Sequence, residues 1–273
     1  MNFGIVKRSG TRHLPTIARC VEDAGFEVLM VTEHTHVPVG SMSPEEARRR
    51  ANLLDPFVAL GAAAAVTSRL RLGTAVCVVT HREPLALAKA VATLDLLSGG
   101  RFLFGVGTSS VPAENRTYGV TAAHRGTLLR ERIAALKALW SGEAVEFHGE
   151  LVDFGPALSG PSLVQRPHPP ILLGGGPARI DDVLGWADGW LPHPPEDFDL
   201  AEAIARLRRA AADSGRQRPL VVVFNAPQDP TVLTGDMEAG VDTALLDLQA
   251  DEPAEAEGEL RQLGRLVRAA TGT

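Results

Sequence analysis

The feature that most restricts this chain is an alternation, carried from end to end, of short apolar runs with longer segments whose apolar residues recur at helical spacing. The first run is Phe3 to Val6. Behind it Leu14, Ile17, Ala18 and Val21 fall at i, i+3, i+4 and i+7, the stripe of a surface helix. Gly25 ends that helix, because a residue without Cβ takes the left-handed cap easily, and a second run, Val28 to Val31, follows. From Glu33 to Asp55 no apolar period is sustained; Pro38, Gly40 and Pro44 mark a long loop with one helical turn at Glu45 to Arg50. Asp55-Pro56 is an N-cap followed by proline at the first helical position, opening a helix to about Thr67.

The same reading places further strands at Leu70 to Val79, Phe102 to Val106, Ile171 to Leu173, Gly189 to Leu191, Leu220 to Phe224 and Thr243 to Leu248. Helices are predicted over Pro84 to Leu97, around Leu129, Ile133, Leu136 and Trp140, over Pro177 to Ala187, from Leu200 to Ala211, over Pro230 to Ala239 and around Leu260, Leu263, Leu266 and Val267. The strands are nearly continuous apolar runs, as parallel strands covered on both faces must be. The expectation is an α/β protein: one (β/α)8 TIM barrel over residues 1–273, whose 273 residues are close to the roughly 250 such a barrel takes. Val145 to Phe154, with His148-Gly149 at its centre, breaks the alternation as a hairpin inserted between strands four and five, and the Pro/Gly-rich Gly155 to Pro170 completes the insertion. An open doubly wound sheet is the rival. It would place a Gly-rich dinucleotide turn after an early strand, where this chain has Lys7-Arg8-Ser9-Gly10-Thr11.

Composition narrows the class of function. A net charge of -6 gives no general attraction to nucleic acid, and no apolar run approaches the roughly 20 residues of a membrane helix. The two cysteines, Cys20 and Cys77, are too few for a disulfide scaffold and read as thiols of a reducing compartment. Met1 and Asn2 lead directly into a strand-like run with no hydrophobic leader segment, so no signal peptide is expected. A cytoplasmic protein acting on a small molecule, with no nucleic-acid or membrane partner, is expected.

In a (β/α)8 barrel the chemistry sits on the loops after the strands. That rule selects Thr32 to His36, Thr74 to Val78, Gly107 to Ser110, Gly174-Gly175-Gly176 and His193. Three glycines between a strand and a helix let backbone amides approach a phosphate, and Pro177 fits the first turn behind them; a tight turn with no ligand is the plainer alternative. Glu33-His34 pairs an acid with a group that titrates near neutrality, although a loop histidine is often only solvated. His13, His124, His148 and His168 lie away from this site. His34 and His36 lack a third ligand at metal spacing, so no metal site is expected. No Gly-x-Ser-x-Gly elbow occurs, and Cys77 reads as a small packing residue.

Several stretches then resemble the luciferase-like monooxygenase superfamily, most closely its coenzyme F420-dependent branch. They are Leu53-Leu54-Asp55-Pro56, Val66 to Thr74, Ala92 to Phe102, Gly105-Val106-Gly107, Phe147 to Glu150, Val164 to Pro170 and Ala187 to Trp190, in order along most of the chain. The resemblance implies a tricyclic ring at the barrel mouth, with Thr74, Ala75 and Val76 on a bulge behind it and a cis peptide joining Ala75 to Val76. It implies that the acid-histidine pair is Glu33-His34, with His34 near the reactive edge; His34 is the catalytic candidate, as a proton donor or as a group that orients the ring. Thr108 and Ser109 would line the ring and ribityl chain, and Gly174, Gly175, Gly176, Ala178 and Arg179 would hold the phosphate. It leaves a homodimer open. This chain departs from the related sugar-phosphate dehydrogenases at Ser110, where they carry a catalytic glutamate, and at Pro38, where they carry a tryptophan; that reaction is not expected. Substrate entry is expected between the Glu33 to Asp55 loop and the inserted segment, with Phe57, His81 and His193 as pocket walls.

Three functions follow as alternatives. The leading one is an oxidoreductase moving a hydride between coenzyme F420 and a small organic substrate. The second is an FMN-dependent monooxygenase on the same scaffold. The third is a catalytically silent flavin-binding barrel, motivated by the missing acid at Ser110.

Overall fold

Eight parallel strands close on themselves in the structure of the chain, a computed structural model that describes residues 1–193 and 198–272. The strands are β1 (Asn2–Lys7), β2 (Val28–Val31), β3 (Arg71–Thr74), β4 (Phe102–Gly107), β5 (Ile171–Gly174), β6 (Gly189–Leu191), β7 (Leu220–Val223) and β8 (Thr243–Asp247). Each pairs with its neighbours in sequence, and β1 pairs with β8 in the register Asn2 to Thr243 through Val6 to Asp247, which seals the barrel. The predicted (β/α)8 barrel is the observed fold.

Alternation along each strand divides the core in two. Val6, Val28, Met30, Leu103, Leu172, Val222 and Leu245 point inward and fill the barrel. Their neighbours Ile5, Leu29, Phe104, Ile171, Leu173, Val221 and Leu246 point outward to the helices. Large branched side chains therefore plug the interior, and open space is left at its two ends, the smaller cavity lying at the strand starts beside Asn2, Arg71 and Thr243. Gly105 marks one close approach: a Cβ there would lie 1.8 Å from the Thr74 carbonyl oxygen.

The helices are α1 (Leu14–Asp23), α2 (Pro44–Ala51), α3 (Pro56–Ala64), α4 (Pro84–Leu97), α5 (Pro112–Thr117), α6 (Arg125–Leu139), α7 (Ile180–Trp186), α8 (Leu200–Asp213), α9 (Pro230–Ala239) and α10 (Pro253–Thr271). The caps follow the sequence reading at α3, where the Asp55 carboxylate accepts from the Phe57 and Val58 amides, and at α1, where Gly25 takes φ +85°. The expected extension of α3 to Thr67 does not form. Arg101 takes the Ala64, Thr67 and Leu70 carbonyls and the Thr67 hydroxyl at 2.6 to 3.2 Å, stopping the helix beside the start of β3.

Two further departures bear on function. The predicted third strand, Leu70 to Val79, is broken after Thr74: Ala75 and Val76 bulge out around a cis peptide, and Cys77–Val78 rejoins β4. The inserted hairpin pairs Val145–His148 with Asp153–Ala157, and it hangs on the Glu131 carboxylate of α6, which accepts from the Glu150, Leu151 and Val152 amides at 2.8 to 2.9 Å. The connector after it runs to Asp95 of α4, whose carboxylate accepts from Val164 and Gln165. The insertion thus follows the helix layer to the start of β5. No helix among the described residues is long and apolar enough to cross a membrane.

Candidate active site

A cavity of about 910 Å³ opens at the carboxyl ends of the strands, within the range of roughly 300–1,000 Å³ typical of small-molecule sites. Its floor is the bulge of Ala75 and Val76. The two methyl groups of Val76 lie between two glycines at the tips of the neighbouring strands. A Cβ on Gly107 would meet Val76 Cγ2 at 2.8 Å, and one on Gly174 would meet Val76 Cγ1 at 2.7 Å. Neither position accommodates a side chain while Val76 keeps its place, so the glycines and the bulge form one surface.

On one side of this floor stands His34. Its Nδ1 donates to Glu114 Oε2 at 3.0 Å. The same carboxylate accepts from the Ser109 hydroxyl at 2.5 Å and from the Thr35 amide at 3.0 Å. Glu114 is wholly buried. Burial raises its pKa, but the hydrogen bonds from His34 and Ser109 and the nearby imidazoles outweigh that and hold it at about 2. A fixed carboxylate on Nδ1 sets the imidazole tautomer and leaves Nε2 as the working nitrogen. That nitrogen accepts from Arg50 of α2 at 3.1 Å. Beneath Glu114, Asn115 donates to the Ser109 carbonyl at 2.8 Å and its side-chain oxygen accepts from His81 Nε2 at 2.8 Å, while the His81 ring stacks on Tyr118.

Glu114 is the functional residue that the sequence reading missed. Its helix, Pro-Ala-Glu-Asn-Arg-Thr, has no apolar period, because the side chains it buries are the polar Glu114 and Asn115. The pattern that finds core-facing helices is blind to such a segment. The one available signal was an acid five residues beyond Ser109, on the loop after β4, where barrel chemistry is expected. An acid at Ser110 is indeed missing, yet the site does hold a carboxylate.

Across the floor lies the glycine loop. Gly175 takes φ +134°, and the Gly176 N–H donates to no described residue. Ala178 and Arg179 line the cavity next to it, the Arg179 guanidinium resting on Asp182 at 2.9 Å. Thr32 Oγ1, at the end of β2, is buried in the cavity wall without a hydrogen-bond partner. A free amide at a glycine turn, an orphaned hydroxyl and a glycine-walled floor suit a flat ligand with a phosphate tail.

Of the residues expected to bind cofactor, Glu33, His34, Ala75, Val76, Thr108, Ser109, Gly174, Gly175, Gly176, Ala178 and Arg179 line this one cavity, and Thr74 does not. Thr74 is fully buried and donates its hydroxyl sideways to the Gly105 carbonyl at 2.6 Å, stitching β3 to β4. Glu33 touches the cavity, but its carboxylate accepts from the Val78 amide at 2.8 Å and from Arg82, so it braces the bulge. Ser109 has spent its hydroxyl proton on Glu114. His193 is on the wall as expected. His81 is beneath Glu114 instead, and Phe57 packs on Phe102 and under Arg82. The inserted segment contributes nothing to the wall; facing the Glu33 to Asp55 loop is the stretch Ala122 to Arg130, which includes the first turn of α6. Cys77 is buried, and burial together with Glu33 pushes its thiol pKa up. Among the described residues no group of three His, Cys, Asp or Glu could hold a metal ion.

Fold and site together define a (β/α)8 barrel of enzyme type, with an imidazole–carboxylate pair at its mouth. The chain belongs to the luciferase-like monooxygenase family, whose model matches residues 4–239, and so is an enzyme of the oxidoreductase or monooxygenase kind. It is 38% identical over 272 residues to an uncharacterized protein of Mycobacterium tuberculosis, covering 93% of this chain and 95% of that one. Among solved structures it resembles the monooxygenase RslO1 from Streptomyces bottropensis, with a TM-score of 0.78, 21% identity and 98% of both chains covered. It also resembles an F420-dependent secondary alcohol dehydrogenase solved with an F420-acetone adduct, with a TM-score of 0.77, 14% identity and 98% of both chains covered.

Proposed function

We propose that this chain is an oxidoreductase that binds coenzyme F420 and moves a hydride between it and a small organic substrate. The observation that carries the reading is His34, with Nδ1 tied to a buried carboxylate and Nε2 facing a cavity whose other side is a glycine loop with an unused amide. The unused Gly176 amide, in the turn it shares with Gly174 and Gly175, would hold the phosphate together with Ala178 and Arg179, and the Ala75–Val76 bulge would back the ring. When bound, the deazaflavin supplies a ring carbon that gives or takes a hydride and reacts poorly with oxygen.

The chain's own residues supply the proton chemistry. A substrate hydroxyl placed at His34 Nε2 gives up its proton to that nitrogen as the alcohol becomes a carbonyl; in the reverse direction the imidazolium returns it. Glu114 stabilises the imidazolium in either case, since it remains ionised across the neutral range. The sequence motifs of the F420-dependent branch and the full-length likeness to an F420-dependent alcohol dehydrogenase support this reading.

An FMN-dependent monooxygenase is the second reading, favoured by the equally complete likeness to a monooxygenase. Anaerobic titration of the purified protein with F420 and with FMN, followed by absorbance and fluorescence, separates them. Micromolar F420 binding, and its reduction by an alcohol or its reoxidation by an enone or imine, is the expected result. Tight FMN binding with no F420 affinity would overturn the proposal. A His34→Ala protein that binds F420 as tightly and turns over as fast would remove the role assigned to that residue.

A further inference from the structure

The cavity lining carries more positive charge than one phosphate needs. Six arginines face it, Arg8, Arg49, Arg50, Arg125, Arg130 and Arg179, in a chain whose net charge is -6. They fall into two groups. Arg125, Arg130 and Arg179 belong to α6 and the loop after β5, beside the glycine loop. Arg8 follows β1, and Arg49 and Arg50 are on α2 after β2, a position two to four strands away around the barrel.

The second group is a built unit. Gly10 lies so close to the end of α2 that a Cβ on it would be 1.7 Å from the Asn52 carbonyl oxygen, which holds the Arg8 loop against the helix bearing Arg50. The acids that face this group are already engaged. Asp247 accepts from Arg8 Nε at 2.9 Å, and Glu46 accepts from Arg49 at 2.7 Å and from Arg50 Nε at 2.5 Å. Glu33 is bound to Arg82, and Glu114 to His34 and Ser109. Arg50 therefore spends Nε on Glu46 and one further N–H on His34 Nε2, and its remaining N–H groups donate to no described residue. A guanidinium bonded to a neutral imidazole nitrogen makes a weaker contact than the forked pair it forms with an oxyanion. It also occupies the nitrogen that the proton chemistry requires.

We infer that Arg50, supported by Arg8 and Arg49, is the substrate's anion-binding subsite, and that an organic anion draws its guanidinium off His34 Nε2 and frees that nitrogen for the reacting oxygen. The inference deepens the oxidoreductase reading and rests on it for the meaning of "substrate". Its physical content, an anion exchanging with His34 for Arg50, needs no cofactor. Arg50 is a specificity and positioning residue in this scheme, since it acts on His34 by leaving it.

The test uses the cofactor-free full chain with 15N-labelled histidine, near pH 8. The His34 Nε2 resonance, assigned by its loss in His34→Gln, is followed during titration with glutarate, with inorganic phosphate and with neutral dimethyl glutarate. A saturable shift with glutarate alone assigns a carboxylate substrate, and one with phosphate alone a phosphate ester; each supports the inference. In Arg50→Ala the resonance should start at its freed position, and anion affinity should fall about tenfold or more, the loss of one charge-assisted bond. Arg48→Ala, an exposed neighbour on the same helix that is absent from the cavity wall, should behave as the unaltered protein. No response to either anion, an equal response to dimethyl glutarate, an undiminished response in Arg50→Ala, or an equal loss in Arg48→Ala would each overturn the inference. A protein that gives the anion response but binds no F420 would keep the subsite and overturn only the cofactor assignment.

Discussion

His34 Nδ1 sits 3.0 Å from the carboxylate of Glu114, a residue 80 positions further along the chain and wholly buried. The contact joins the loop after β2 to the short helix after β4 and gives the histidine one tautomer. Because the carboxylate also takes the Ser109 hydroxyl and the Thr35 amide, its removal disturbs the loops after β2 and β4 together.

Glu114→Gln should therefore alter chemistry and acid stability together. The tautomer preference of His34 weakens, and turnover falls by a factor on the order of 10² to 10⁴, the range of general acid–base catalysis. The folded-state pKa of about 2 lies below the usual carboxylate value of 4.5, so Glu114 contributes stability that is complete above 4.5 and lost as pH falls through 2. A shift of that size corresponds to roughly 3 kcal/mol at neutral pH. Urea titrations at pH 7 and pH 3 should show the substitution costing more at pH 7. An equal cost at both would show that the ionised carboxylate is not the stabilising form.

Val76 and its two glycines should behave as one unit. Gly107→Ala and Gly174→Ala each drive a methyl into Val76 from opposite sides, and each should cost about 1–3 kcal/mol and weaken cofactor binding. Val76→Ala removes both of the methyl groups they strike. In the doubly substituted proteins it should restore part of the lost stability and affinity, a departure from additivity measurable by chemical denaturation. Simple additivity would mean that the glycines serve their own backbones only.

Asp236, on α9, supplies the opposite pH dependence. Its carboxylate is buried, one oxygen has no hydrogen-bond partner, and burial raises its pKa to about 6. A raised acid favours folding while protonated, so this group's destabilisation grows as pH rises from about 3.8 through 6. Asp236→Asn should stabilise the protein above pH 7, by up to about 3 kcal/mol, and change little below pH 4. Thermal melts across this range would detect it. A destabilising effect at pH 8 would show that the carboxylate finds a partner in solution.

Cys77, beside the bulge, should resist alkylation. Burial and Glu33 both raise its thiol pKa, and the residue is fully buried, whereas Cys20 on α1 is partly exposed. Iodoacetamide under native conditions should label Cys20 many-fold faster, as read by mass spectrometry of the digested protein. Equal rates would mean that the bulge opens freely.

Much of this architecture was legible in the residues. Runs such as Val28 to Val31 and stripes such as Leu14, Ile17, Ala18 and Val21 report burial on both faces of a strand or one face of a helix, and that local signal does not depend on what lies opposite. The strand tips that line the cavity followed from the barrel rule, and the glycine loop followed from its own backbone freedom. Tertiary structure alone decided how side chains at those tips were used. Thr74 turned to a neighbouring strand, Glu33 to the bulge and Arg82, and the inserted hairpin to the outer face of α6. It also decided that Glu114, on a polar helix with no period to betray it, reaches His34. Apolar burial is a property each residue carries in its own side chain. A hydrogen-bond partner is chosen only when distant loops meet, so the sequence by itself determined the barrel, and the closed barrel determined the site.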